Sequence, residues 1–386
     1  MCGGWVRRAS GSGAANTGRW FCRGRWRNAG RVTGLFPPQE QAWGLDAQVG
    51  LTPQALAKVC RESALTQSFD TAAESINEDW GTRYDGKQMQ RWSEHVGGKL
   101  VELQEAERKG YAKGQRPEGP ANAPELLVVG LDGGRVQGRE KDPDTQSRWK
   151  EDKVATISSY LKGDGKDRKP QRLVTTYVAT MGTSKKFGTL ARIEAERRGI
   201  RQALNVVVMG DAAAWIDTVH GEYFPAHERI VDYSHAAERL WDCARALAPA
   251  KYLALGERLE SALYQGKTQR LLRWLAKQVA RLGAVRDRDS EHHPRRVLWE
   301  NLTYFQRHHQ HMDYPRYRAN GWPIGSGVTE SGVKLFNKRV KGTEQFWNTR
   351  GHEGVETILA LRSLRLSNDG RWHHYMLYGR LLRPAA

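Results

Sequence analysis

Two short runs constrain the fold of this chain more than anything else in it. They are Leu126-Leu127-Val128-Val129-Gly130-Leu131-Asp132 and Asn205-Val206-Val207-Val208-Met209-Gly210-Asp211. Each is apolar at successive positions rather than alternate ones, short, rich in β-branched residues and closed by a carboxylate. Such runs read as strands buried on both faces, which requires helices above and below a sheet. Around them the pattern predicts a second strand near Arg135-Val136-Gln137, set off by Gly133-Gly134, and further strands over 149–160, 172–180 and 229–232. A charged loop falls at 162–169, and helices at 187–198 and 235–247. Several strands first, then helix and strand in alternation, give an α/β fold with a mixed sheet flanked by helices.

Outside the sheet the period is helical. From 236 to 310 nothing resembles a strand. Leu253, Leu255, Leu259 and Leu263, then Leu271, Leu272, Leu275, Val279 and Leu282, follow helix spacing, and another helix fits 298–312. Before the sheet, Thr52-Pro53 is a helix start with Leu56, Val59, Cys60 and Ser63 on one face. A second helix fits 68–80 with Phe69, Ala72, Ala73 and Ile76 inward. A third begins at Asp85 and carries Lys87, Gln88, Gln90 and Arg91. Three short helices of this kind fit a helix-turn-helix or a small bundle that binds nothing. Residues 99–123 read as a helix tail and a linker. Residues 1–36 are rich in Gly, Arg and Ser without periodicity, and read as a basic arm or an altered N-terminus. The expected division is 1–36 arm, 37–122 helical DNA-binding domain, 123–240 first part of the core, 241–315 all-helical insertion and 316–386 return to the core.

Charge narrows the partners. Lys and Arg outnumber Asp and Glu by 61 to 43, for a formal charge of +18. Such an excess favours a polyanion, nucleic acid before membrane, through release of phosphate counterions. A basic protein with no such partner is the plainer alternative. No apolar run is long enough to span a bilayer, and no secretory signal is visible. The four cysteines form no CxxC pair, which argues against a zinc ribbon and a disulfide framework and fits a reducing cytoplasm.

Asp132 and Asp211 each end an apolar strand, where open α/β sheets place functional residues. A third carboxylate lies in Gly321-Trp322-Pro323-Ile324-Gly325-Ser326-Gly327-Val328-Thr329-Glu330, a glycine-punctuated loop running into a helix. The glycines at 325 and 327 are expected to let the backbone bend close to the sheet. Lys334, Lys338 and Lys341 follow Glu330 at offsets 4, 8 and 11, a cationic stripe on its own face. Taken singly, these acids are caps, turn residues or a surface Glu330–Lys334 pair. Taken together, three oxygen ligands with no matching His or Cys set suit Mg²⁺ or Mn²⁺ rather than zinc. Two such ions can activate a water or a 3′-hydroxyl and stabilise the leaving oxygen of a phosphodiester.

Four blocks carry a family resemblance: Val128 to Gly134, Val206 to Asp211, Val231-Asp232-Tyr233-Ser234-His235-Ala236-Ala237-Glu238-Arg239-Leu240 and Pro323 to Ser331. In this order they resemble the signature blocks of bacterial insertion-sequence DDE transposases of the ISKra type. Gly34-Leu35-Phe36-Pro37-Pro38 and the segments around Phe346-Trp347 and Asn368 to Trp372 extend the likeness over about residues 36–376. The resemblance implies an RNase H-like core interrupted by an all-helical insertion, with Asp132, Asp211 and Glu330 as the metal-binding triad. Asp232 and His235 match the family's acid-x-x-His motif. His235 could orient a carboxylate, contact DNA, or sit satisfied in the core. The departure is the family's CxxC ribbon, which Cys2 and Cys22 cannot form.

The expected activity is metal-dependent cleavage and strand transfer at the ends of an insertion sequence, by a homo-oligomer on duplex DNA in the cytoplasm. Lys334, Lys338, Arg339 and Lys341 would hold phosphates. Trp347 would stack on an unpaired base or sit in the core. Lys87, Gln88 and Arg91 would read terminal repeats. Two rivals remain: a catalytically silent DNA-binding relative, and an RNase H-like nuclease acting on RNA or hybrids.

Overall fold

The computed structural model describes residues 46, 49–161, 170–342, 345–349 and 354–379. The expected arm over 1–36, the segment Gly34–Pro38 and the charged loop over 162–169 lie outside them. Three helices open the described chain: α1 (Pro53–Leu65), α2 (Phe69–Trp80) and α3 (Gly86–Ala112). Each starts at the cap its sequence offers. Thr52 Oγ1 accepts from Ala55 N, Ser68 Oγ from Thr71 N, and Asp85 forms a reciprocal capping box with Gln88. The third helix is far longer than expected, because residues read as tail and linker continue it to Ala112. Tertiary contact accounts for the extension. A Cβ on Gly97 would lie 2.7 Å from the Thr357 side chain, so the middle of α3 presses directly on a C-terminal helix. Leu56, Cys60, Val96 and Leu100 share one apolar cluster with Val136, Val154, Phe336 and Ile358. The opening helices are thus packed into the body of the protein rather than hung beside it.

The sheet holds five strands, β1 (Leu126–Gln137), β2 (Trp149–Leu161), β3 (Gln171–Thr180), β4 (Asn205–Gly210) and β5 (Glu228–Val231), in the order β3-β2-β1-β4-β5. β1, β2 and β3 run antiparallel in sequence, and β4 and β5 lie parallel to β1. Helices α4 (Ser184–Arg197) and α5 (Ala214–Tyr223) cover one face. Leu127, Val129, Leu131, Val208, Phe187 and Ile216 form the core there. β5 leads into α6 (Tyr233–Leu247), then α7 (Tyr252–Tyr264), α8 (Thr268–Leu282), α9 (Pro294–His308) and α10 (Tyr314–Ala319). These helices bury Leu240, Leu263, Leu275 and Phe305 in one cluster with Val207, Met209 and Ile230 of the sheet. The chain returns through α11 (Gly327–Val340), α12 (Val355–Leu366) and α13 (Arg371–Tyr378). No helix among the described residues is long and apolar enough to cross a membrane.

One expectation is overturned at the centre of the sheet. Gly133-Gly134 does not divide two strands: β1 is continuous from Leu126 to Gln137, and Asp132 lies inside it rather than at its end. The glycines of β1 serve close packing instead. A Cβ on Gly130 would fall 1.9 Å from Thr329 Oγ1, and one on Gly134 would fall 2.5 Å from Asp152 Oδ1 and 3.1 Å from Asn337 Oδ1. Helix α11 therefore crosses β1 where β1 has no side chains. The glycine-loop expectation fails for a matching reason. Neither Gly325 nor Gly327 has a positive φ, and a Cβ at either meets nothing closer than 3.9 Å. The close approach is made by Gly130, Gly134 and Gly332.

Candidate active site

Strand register assembles the site. Leu131 pairs with Gly210 and Gly210 with Val231, so the next residue on each chain, Asp132, Asp211 and Asp232, forms a row across β1, β4 and β5. In-register residues of parallel strands share a face, and here that face lies under α6 and α11. The row is braced from below by Arg229, whose guanidinium is almost wholly buried and donates to Gly210 O (3.2 Å), Ile230 O (2.6 Å) and Asp211 O. It adds a donor to carbonyls at the ends of the two short strands, of which Gly210 O also accepts from Asp232 N at 3.0 Å.

Asp132 Oδ1 accepts from Gly133 N at 2.7 Å, and Asp211 Oδ1 accepts from Ala213 N at 2.9 Å. Burial pushes the Asp132 carboxyl up to about 6, with Asp211 and Glu330 adding repulsion while the Gly133 N–H and His235 pull the other way. Both aspartates line an open cleft of about 500 Å³ with Arg135, Lys150, Trp149 and Trp215.

Glu330 enters from the first turn of α11. Thr329 beside it shares a 2.9 Å hydroxyl contact with Thr156 of β2, and Ser326 Oγ donates to Glu330 Oε1 at 3.3 Å. Asp232 is fully buried and works as a joint. Its Oδ1 accepts from His235 N at 2.9 Å, capping α6, while its Oδ2 accepts from Ser326 N, and Tyr233 N donates to Ile324 O at 2.9 Å. The loop before α11 is thereby tied to the start of α6. Asp232, His235 and Glu330 each offer one potential ligand atom within 4.8 Å of one another. Among the described residues this is the one such group: it takes in Glu330 but neither Asp132 nor Asp211, and it includes an imidazole nitrogen absent from the all-oxygen set expected from sequence.

The expected DNA contacts divide sharply. Lys334, Lys338 and Lys341 are exposed on α11 and its C-terminal end, and Lys334 Nζ lies 3.9 Å from Glu330 Oε2. Arg339 is a correction. It is 1% exposed, its Nε donates to Ser63 O at 2.7 Å and its Nη1 to Gln67 O at 3.3 Å. Its guanidinium lies over Phe69 and Trp347, and burial pulls its pKa down to about 9. It locks α11 onto α1 and cannot reach a phosphate from there. Trp347 is likewise core: it is 8% exposed, with its indole N–H donating to Val340 O at 3.0 Å. Gln88 is committed to its capping box, whereas Lys87 and Arg91 are exposed one turn apart.

Two residues escaped the sequence reading. Arg229 gives no local signal, since an arginine in a strand reads as an exposed edge. Asp152 gives a faint one, being in phase with the inward Val154 and Thr156 of β2. It is fully buried under α11, neither carboxylate oxygen has a hydrogen-bond partner, and burial pushes it up to about 6.

No protein-family model matches the chain, and no curated protein does. Among solved structures it is similar to the Drosophila P element transposase strand transfer complex. The identity is 10%, the match covers 86% of this chain and 82% of that one, and the TM-score is 0.27, a likeness too slight to argue from.

Proposed function

We propose that this protein is a DNA transposase of the RNase H-like superfamily, a DDE enzyme resembling the ISKra type of insertion-sequence transposase. The observation that carries the reading is the row of Asp132, Asp211 and Asp232, set by the register of β1, β4 and β5, with Glu330 and His235 brought to its Asp232 end by α11 and α6. The donor chemistry fits a hard divalent cation. Burial raises the Asp132 pKa, and repulsion from Asp211 and Glu330 adds to it, so a cation joining them relieves that repulsion; Asp132, Asp211 and Glu330 would hold Mg²⁺ or Mn²⁺. Asp232 has both oxygens engaged by backbone N–H groups, so its part is to fix His235 and the Glu330 loop in place.

Two ions held there would supply activation of the attacking water or 3′-hydroxyl and stabilisation of the leaving oxygen. The chain's own residues do the positioning. Arg135 and Lys150 line the cleft where a phosphate approaches Asp132 and Asp211. Lys334, Lys338 and Lys341 extend that positive surface along α11 and supply sequence-independent grip on the duplex backbone. A mixed sheet flanked by helices, with an all-helical segment between β5 and α11, is consistent with the RNase H-like core this chemistry uses.

The test is cleavage and joining of duplex DNA bearing the flanking ends of the gene, with Mg²⁺ or Mn²⁺ against chelator. Asp211→Ala and Glu330→Gln are expected to lower the rate at least about a thousandfold while leaving duplex binding in place. Activity unchanged in Asp211→Ala would sink the assignment. Binding without any cutting would leave a silent relative, and preference for an RNA–DNA hybrid would leave a nuclease.

A further inference from the structure

The outward face of α8 carries charge that no ion pair among the described residues answers. Lys267, Arg270, Arg273, Lys277 and Arg281 follow one another at intervals of three or four residues, which places them on one side of the helix, and all five are exposed. The opposite side is fixed inward by buried Leu271 and Leu275, with Leu272 and Val279 packed beside them. The helix contains no acidic residue. Among the described residues none of the five makes an ion pair, although other arginines of the helices between β5 and α11 do. Arg245 pairs with Asp242 at 2.7 Å, Arg316 with Glu228 at 2.7 Å and Arg295 with Asp289 at 2.6 Å.

Like charges at these intervals repel by roughly 0.2–0.5 kcal/mol per pair. A helix that keeps four such pairs in a row is poised for a polyanion. The stripe runs for about 20 Å at the ordinary helical rise. That length suits a repeating charge such as a phosphate backbone better than a single small anion. The exposed positions between the cations are Gln269, Ala276 and Ala280. None of these positions on α8 is aromatic or a large apolar residue, so the stripe itself offers neither an aromatic anchor for a protein partner nor an apolar wedge for a bilayer.

We propose that α8 is a second DNA-docking surface, gripping the backbone of duplex DNA away from the carboxylate cleft. The proposal rests on the transposase reading for its choice of polyanion. The cleft engages the strand to be cut, and α8 holds neighbouring duplex without regard to sequence.

The test is a salt titration of binding to a duplex of about 40 base pairs, comparing the full chain with its Arg270→Glu/Arg273→Glu/Lys277→Glu variant. Each lost phosphate contact removes about 0.9 from the slope of log affinity against log salt. The variant should therefore lose roughly 3 from the slope and bind at least about tenfold more weakly at low salt. A second variant with Arg270→Lys and Arg273→Lys should keep the wild-type slope, which separates charge from folding. An unchanged slope in the charge-reversed protein overturns the proposal while leaving the transposase reading intact. A wild-type protein that binds duplex through α8 but never cuts it does the reverse. Loss of binding to phosphatidylserine vesicles with duplex binding unaltered also overturns it, in favour of an anionic membrane surface.

Discussion

Helices α8 and α11 both present cations at helical spacing, and the structure uses them differently. α11 lies across the sheet, so its charges are divided among competing duties. Arg339 is sealed against the Ser63 and Gln67 carbonyls, Lys334 stands near Glu330, and Lys341 Nζ sits over the Trp149 ring at 5.5 Å. α8 lies on the outer layer of the insertion, packed on α7 and α9, and all its cations face solvent. A count of Lys and Arg cannot tell the two apart. What separates them is how much of each helix the core demands.

The comparison is most easily broken at Gly130. Gly130→Val would force a side chain into Thr329 Oγ1 and Thr156 Oγ1 and push α11 off the sheet. The expected loss is about 3 kcal/mol or more in denaturant unfolding, with Glu330 displaced. A variant as stable as wild type would show that α11 is not seated as described.

A smaller effect is expected from Arg339→Ala, which leaves two backbone acceptors and two aromatic faces without their cation. It should cost about 2–4 kcal/mol, whereas Lys338→Ala one residue away should cost less than about 0.5. If Arg339→Ala instead kept full stability and lost only affinity for DNA, the division between buried and outward cations would collapse.

The smallest effect belongs to Asp152. Its folded pKa, about 6, is raised above the ordinary carboxyl value, so the native state binds this proton more tightly than the unfolded chain does. Stability from this group is full at acid pH and is lost as pH rises through about 6. Asp152→Asn should remove that loss and stabilise the protein near pH 7.5 by about 1–3 kcal/mol, read from melts between pH 4 and 8. A wild-type stability curve without this decline would mean the carboxylate has found a partner.

Local pattern made much of this molecule legible. Continuous apolar runs could only be strands buried on both faces, and Thr52, Ser68 and Asp85 marked helix starts because a side-chain oxygen must satisfy the first free N–H groups. Leu56, Val59, Cys60 and Ser63 fell on one face, and all are buried. Asp211 and Glu330 stood out because each sits at a strand or helix boundary, Asp132 because Gly133-Gly134 made its position look like one although β1 runs on to Gln137, and Asp232 and His235 came only through the family resemblance.

Tertiary structure decided the rest. Gly133-Gly134 looks like a turn in one dimension and becomes part of a strand once α11 crosses β1. Arg339 looks like a phosphate contact until Phe69 and Trp347 close over it, and Gln88 looks like a base reader until Asp85 holds it. Periodicity records which hydrogen bonds a segment makes with itself. It is silent about contacts between positions about 200 residues apart, such as Gly130 with Thr329, and those contacts set which charged side chains remain free to meet a ligand.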